Sequence, residues 1–216
     1  MEKWSQKAWK AAKPIYDKII AHPFVQELAK GTLSRERFLF YLQQDALYID
    51  GYSQKLAHVA SRLRKKDQIE SFIRFALDGT IVEKAMHETF LKDIPNRTHT
   101  MTPTCLLYTS VLSSQATAAV EVEAASVLPC FWVYQRVGEA IVGMGDYSEN
   151  PYHKWIGTYG DPSFEESTRR AIEICDDLAE NASPEIREMM TEIFVLCTKM
   201  EYLFWDSAYN LEKWKI

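Results

Sequence analysis

With 216 residues, 47% of them hydrophobic, the chain is long enough to bury a core with a cavity in it and short for two well-built domains, which predicts one domain over 1–216. Aromatics at 12% exclude a disordered chain. A net charge of −5 with no concentrated basic face argues against a nucleic-acid partner.

The N-terminus, Met-Glu-Lys-Trp-Ser-Gln, lacks an apolar leader, and no apolar run is long enough to span a bilayer, so the expectation is a cytoplasmic protein without a membrane partner. Apolar residues recur at intervals of three and four from one end to the other, which predicts an all-α chain. The first helical pattern runs from about Trp4 to Ala21 and stops at His22-Pro23; a short one follows to Gly31. Ser34 then caps a long helix whose apolar face holds Phe38, Tyr41, Leu42, Tyr48, Ile49 and Tyr52. The basic run Arg62-Leu63-Arg64-Lys65-Lys66 reads as its solvated end. Another helix covers about Asp67 to Leu91 and stops before Pro95. Thr102-Pro103, Asn150-Pro151, Asp161-Pro162 and Ser183-Pro184 each pair a cap residue with a proline suited to the first helical position. Between Ser114 and Val142 the pattern is apolar almost all round, which predicts a central helix; Pro129 within it should force a kink or a restart and free backbone polar groups near Cys130.

Candidate chemistry sits on these helices. The four cysteines, at 105, 130, 175 and 197, form no Cys-x-x-Cys pair, so reduced thiols are expected. Cys130 stands out because a disrupted helix offers N–H groups that favour thiolate, although the apolar neighbours Leu128, Phe131 and Trp132 act the other way. Glu201 follows Phe194 and Cys197 by seven and four residues and precedes Phe204 and Trp205 by three and four, which places its carboxyl on an apolar face and should raise its pKa. Asp45 lies between Tyr41, Leu42 and Tyr48, Ile49, where burying a short carboxylate requires a partner. A metal set is not apparent: no Glu-x-x-His pair occurs, Glu83, His87 and Glu88 suit a surface hydrogen bond, and His22, His58, His99 and His153 form no ligand group. Gly-rich phosphate loops and Gly-x-Ser-x-Gly elbows are absent as well.

Four strings in register, Leu128-Pro129-Cys130-Phe131-Trp132-Val133-Tyr134 with Val137-Gly138-Glu139, Trp155-Ile156-Gly157-Thr158-Tyr159-Gly160, Glu201-Tyr202-Leu203-Phe204-Trp205 and Leu42-Gln43-Gln44-Asp45, resemble the TenA family of thiaminases II over essentially the whole chain. The resemblance implies a helical bundle of the haem-oxygenase-like type without haem or other cofactor, assembled as a homotetramer, taking a small-molecule pyrimidine or thiamine. It implies hydrolysis of 4-amino-5-aminomethyl-2-methylpyrimidine to the hydroxymethyl pyrimidine and ammonia, and cleavage of thiamine to the pyrimidine and thiazole alcohols. By the same resemblance Cys130 is the nucleophile, Glu201 the acid–base group and Asp45 the pyrimidine-orienting carboxylate, with Tyr48, Tyr108, Tyr134, Tyr159 and Phe204 sandwiching the ring or hydrogen-bonding around the thiol. The chain departs at Cys105-Leu106-Leu107, where relatives often carry another tyrosine, and is less aromatic than is common from Cys197 to Met200. Two alternatives remain at this level: a pyrimidine-binding or regulatory protein without turnover, and an oxygen-using enzyme on the same fold.

Overall fold

The computed structural model describes residues 2–91 and 100–215, leaving aside the side chains of 82–84, 87 and 88. Among the described residues there is helix and no strand. The order is α1 (Trp4–Ala21), α2 (Pro23–Ala29), α3 (Arg35–Arg62), α4 (Lys66–Met86) running on as a π-helical turn (His87–Leu91), α5 (Pro103–Ser114), a short 3-10 turn (Gln115–Thr117), α6 (Val120–Val142), α7 (His153–Tyr159), α8 (Pro162–Glu180) and α9 (Pro184–Tyr209). None of these helices is long and apolar enough to cross a membrane.

Local chemistry explains most of the boundaries. Ser34, Thr102, Asp161 and Ser183 each accept a hydrogen bond from a backbone N–H of the first turn, and in the last three a proline occupies the start, where its missing N–H costs nothing. The remaining cap-and-proline pair behaves differently. Asn150-Pro151 lies in a turn, and α7 begins only at His153: the Asn150 oxygen accepts from Tyr152 N (2.8 Å) within that turn, and its amide donates to the carbonyls of Leu28 (2.9 Å) and Ala29 (3.1 Å). Asn150 thus ties the α7 approach to the end of α2. Gly31, which follows α2 with φ +69°, supplies the left-handed turn there, and a Cβ on it would meet Pro151.

His22-Pro23 starts a helix as well as ending one. His22 Nδ1 accepts from Phe24 N (3.1 Å), so the ring proton sits on Nε2 and donates to Asp206 (3.3 Å).

The central helix is α6, which packs against α1, α3, α5, α7, α8 and α9 and is buried along most of its length. It begins at Val120, not Ser114: α5 ends at Ser114 and the 3-10 turn intervenes. Pro129 does not break it, and the helix continues through Cys130 to Val142. The expected restart, with its free N–H groups, is therefore absent; packing on every side holds the helix through the proline. In the basic run at the end of α3, Arg64, Lys65 and Lys66 are exposed as expected, and Arg62 is the exception. Arg62 reaches back to the buried Glu123 of α6 and to the carbonyls of Ala116 and Ala118, and His58 Nδ1 closes on the same carboxylate at 2.6 Å. A buried carboxylate needs such partners, so this end of α3 is a clamp on the start of α6. Lys65 pairs with Asp177 of α8 at 2.6 Å. The stop before Pro95, the Glu83–His87 pairing and His99 lie outside the described residues or side chains.

Candidate active site

One face of α3 carries Tyr41, Asp45, Tyr48 and Tyr52, at offsets of four, three and four that stack them along a single stripe. Facing it, α6 presents Cys130 and Tyr134, one turn apart, and α9 presents Glu201, Phe204 and Trp205. Between α3, α4, α6, α7 and α8 opens a cleft of about 780 Å³, open solvent at its mouth included. Asp45, Cys130, Tyr134 and Tyr159 line it. The walls are mainly aromatic and aliphatic, with Ile49, Tyr52, Phe75, Phe131 and Phe164 completing them.

Glu201, Tyr48, Tyr108 and Phe204 are not on the cleft surface; they form a buried layer against it. Tyr48 sits 4.8 Å from Tyr108, 5.5 Å from Tyr52 and 5.8 Å from Phe204, ring centre to ring centre. Its hydroxyl is buried and lies close enough to Cys130 to act on the thiol. Tyr108 donates to Glu201 Oε1 at 2.6 Å. Glu201 is 1% exposed, and this burial pushes its carboxyl up from 4.5 to about 8; the Tyr108 hydrogen bond opposes the rise and the Asp45 charge adds to it. At neutral pH Glu201 therefore carries a proton, with Tyr108 on one oxygen and the other carboxyl edge able to donate.

Cys130 is half-buried, yet its sulfur lies among groups that resist charge. Desolvation raises its pKa well above the usual thiol value, the carboxyls of Glu201 and Asp45 raise it further, and the hydroxyls of Tyr52 and Tyr48 act in the opposite sense. In the resting structure Tyr52 donates its own proton to the Val127 carbonyl (2.7 Å). The resting pair is thus a thiol and a neutral carboxylic acid, not a thiolate.

The aromatic cage is anchored from behind. Tyr134 stacks against Tyr159 (5.0 Å) and Trp205 (5.2 Å), and Tyr41 lies nearly parallel to Trp205 at 5.0 Å with its hydroxyl donating to that of Tyr134 (3.4 Å). Tyr159 is set in place by Gly138 of α6: a Cβ there would stand 2.4 Å from the Tyr159 carbonyl oxygen, so only glycine lets α7 come this close.

Tyr52 and Ile49 belong to the cleft although residue pattern marked them only as core; their place on the stripe with Asp45 and Tyr48 is the signal that could have found them. Phe75, Asp78, Gly79 and Met86 of α4, with Phe164 and Ser167 of α8, carry no local signal, because only the packing of these helices brings them to the opening. No group of three metal-ligating side chains occurs among the described residues.

This all-helical bundle is of the haem-oxygenase-like type. A domain of unknown function with a heme oxygenase-like fold from Shewanella denitrificans superposes with a TM-score of 0.75 at 11% identity, covering 95% of this chain and 91% of that one. No lysine or arginine is among the described residues lining the cleft to meet the propionates of a haem. The chain belongs to the TENA/THI-4/PQQC family, whose model matches residues 9–211. Among its relatives an aminopyrimidine aminohydrolase from Bacillus subtilis is 32% identical, covering 98% of this chain and 92% of that protein, and another from Halalkalibacterium halodurans is 28% identical, covering 95% of each. A TenA homologue from P. horikoshii OT3 has a TM-score of 0.85 at 26% identity, covering 97% of this chain and 99% of that one.

Proposed function

We propose that this chain is a hydrolase of thiamine salvage that replaces the amino group of 4-amino-5-aminomethyl-2-methylpyrimidine by hydroxyl, and that also cleaves thiamine, with Cys130 as nucleophile. The observation that carries this reading is the meeting of a half-buried thiol and the Asp45 carboxyl, from two separate helices, on one aromatic cleft, with Glu201 of a third helix held protonated in the layer behind them. Two relatives named aminopyrimidine aminohydrolase, similar over nearly the full chain, support it.

In this mechanism a flat pyrimidine enters the cleft against the Tyr134 and Tyr159 rings until one ring edge reaches Cys130, with Glu201 in the layer behind it. The sulfur adds to a ring carbon while its proton passes to the Asp45 carboxylate, and Glu201 gives its proton to a ring nitrogen. Addition removes the aromaticity of the ring, so the exocyclic C–N bond breaks with its electrons going to the departing amine. Water then adds at the methylene carbon and its proton goes to the ammonia. Expulsion of Cys130, which retakes the proton from Asp45 while the ring nitrogen returns its own to Glu201, restores the pyrimidine. Because the resting thiol is neutral, proton transfer and C–S bond formation are coupled, and substrate binding precedes activation.

The test is ammonia release and product formation from the aminomethyl pyrimidine and from thiamine. The wild type should turn over, and Cys130→Ser should lose at least about a thousandfold in kcat, as expected when an activated nucleophile is replaced. Full turnover by Cys130→Ser rejects the covalent route. Tight binding by the wild type with no product would indicate a pyrimidine-binding protein.

A further inference from the structure

The charged side chains on the described lining of the cleft are Asp45 and Asp78. They sit at opposite depths. Asp45 is partly buried on α3 and acts electrostatically on Cys130, Tyr134 and Tyr159, which places it at the reacting end. Asp78, on α4, is exposed while still lining the cleft, which places it at the mouth. It makes no hydrogen bond or ion pair among the described residues, although Arg74 lies one turn before it on the same helix. The surroundings of Asp78 in the cleft are Met86 and Phe75 on its own helix and Phe164, Thr158 and Ser167 across from it, so its field runs into the opening between mostly apolar walls that focus it instead of screening it.

We propose that Asp78 forms a leaving-group subsite that selects substrates whose departing group is a cation, an ammonium or a quaternary nitrogen heterocycle. The proposal rests on the hydrolase reading for the orientation of the ligand: the ring lies inward beside Cys130, so the substituent on the exocyclic methylene points outward, along the cleft toward Asp78. An aminomethyl group is an ammonium at neutral pH and the thiazole ring of thiamine is a fixed cation, and each reaches the mouth as the positive end of the molecule. The same carboxylate would draw the released cation outward past the rim. Asp78 is accordingly a specificity residue for the leaving group and takes no part in bond making.

The experiment compares two pyrimidines that differ at the leaving group alone, the aminomethyl compound, a cation, and its methoxymethyl analogue, which is neutral. Binding is measured by titration calorimetry in proteins carrying Cys130→Ser, which separates affinity from turnover, with and without Asp78→Asn. The expected result is that Asp78→Asn weakens the ammonium ligand about three- to fivefold, the range for an exposed charge pair, and leaves the ether unchanged. Raising the salt from 0.05 to about 1 M in the protein that retains Asp78 should remove the same preference. Equal weakening of both ligands, no effect on either, or failure of both to bind overturns the subsite. Turnover by the two proteins that retain Cys130 is followed in parallel: a charge preference in binding that disappears with Asp78, accompanied by no product from either compound, supports the subsite while rejecting the hydrolase reading.

Discussion

Replacing Glu201 by glutamine tests the resting protonation state of the site without reference to activity. Glutamine keeps the volume and leaves a carbonyl oxygen to accept from Tyr108, so the 2.6 Å hydrogen bond has a counterpart in the variant. The carboxyl group is pushed from 4.5 to about 8 by burial in the folded protein. Below pH 4.5 both the folded and unfolded chains hold this proton and the group contributes no pH dependence. Between 4.5 and about 8 the unfolded chain has lost the proton and the folded one keeps it, so unfolding releases a proton and stability falls as pH rises, by about 1.4 kcal/mol per pH unit. Urea denaturation of the wild type and of Glu201→Gln at pH 5, 6 and 7 isolates the contribution, because the other titrating groups are common to both proteins. The stability of the variant relative to the wild type should grow by about 3 kcal/mol from pH 5 to 7. Curves that stay parallel within about 0.5 kcal/mol, or that diverge in the opposite direction, would show that Glu201 is ionised in the folded protein and cannot be the resting proton donor.

Gly138→Ala should displace Tyr159, since the new methyl would stand 2.4 Å from its carbonyl oxygen; the overpacking should cost about 1–3 kcal/mol in urea denaturation, and in the hydrolase assay the substrate KM should rise at least about threefold. An unchanged KM would show that α7 yields without moving the wall. Arg62→Met removes the guanidinium from Glu123, a carboxylate 1% exposed, and leaves it His58 alone; the expected loss is about 3 kcal/mol of unfolding free energy, and a loss below about 0.5 kcal/mol would mean that His58 suffices.

The helices were legible in the sequence wherever the deciding interaction is local. Ser34, Thr102, Asp161 and Ser183 act within a few residues of themselves, and their caps stand where the residue types place them. At Asn150 the oxygen makes a local bond to Tyr152 N, but the chain turns there instead of starting a helix, and the amide ties the turn to carbonyls about 120 residues earlier, a tie invisible in a five-residue window. At Pro129 local reasoning fails for a related reason: the penalty it imposes on an isolated helix is real, but six neighbouring helices fix the path of α6. The apolar faces of α3 and α9 could be read, and with them the burial of Glu201 and the stripe of tyrosines. The depth of each group could not. Whether Tyr48 or Tyr52 reaches the opening depends on where α6 lies across from them, and the contributions of α4 and α8 arise only when the bundle is assembled.

The neutral resting state of Cys130 has a consequence for the protein in the cell. Thiolates, not thiols, are the forms that peroxides oxidise and electrophiles alkylate, and the desolvated, carboxyl-flanked sulfur here is held well above the range in which it would ionise unaided. A sulfur kept neutral in this way is shielded chemically while the cleft stands empty.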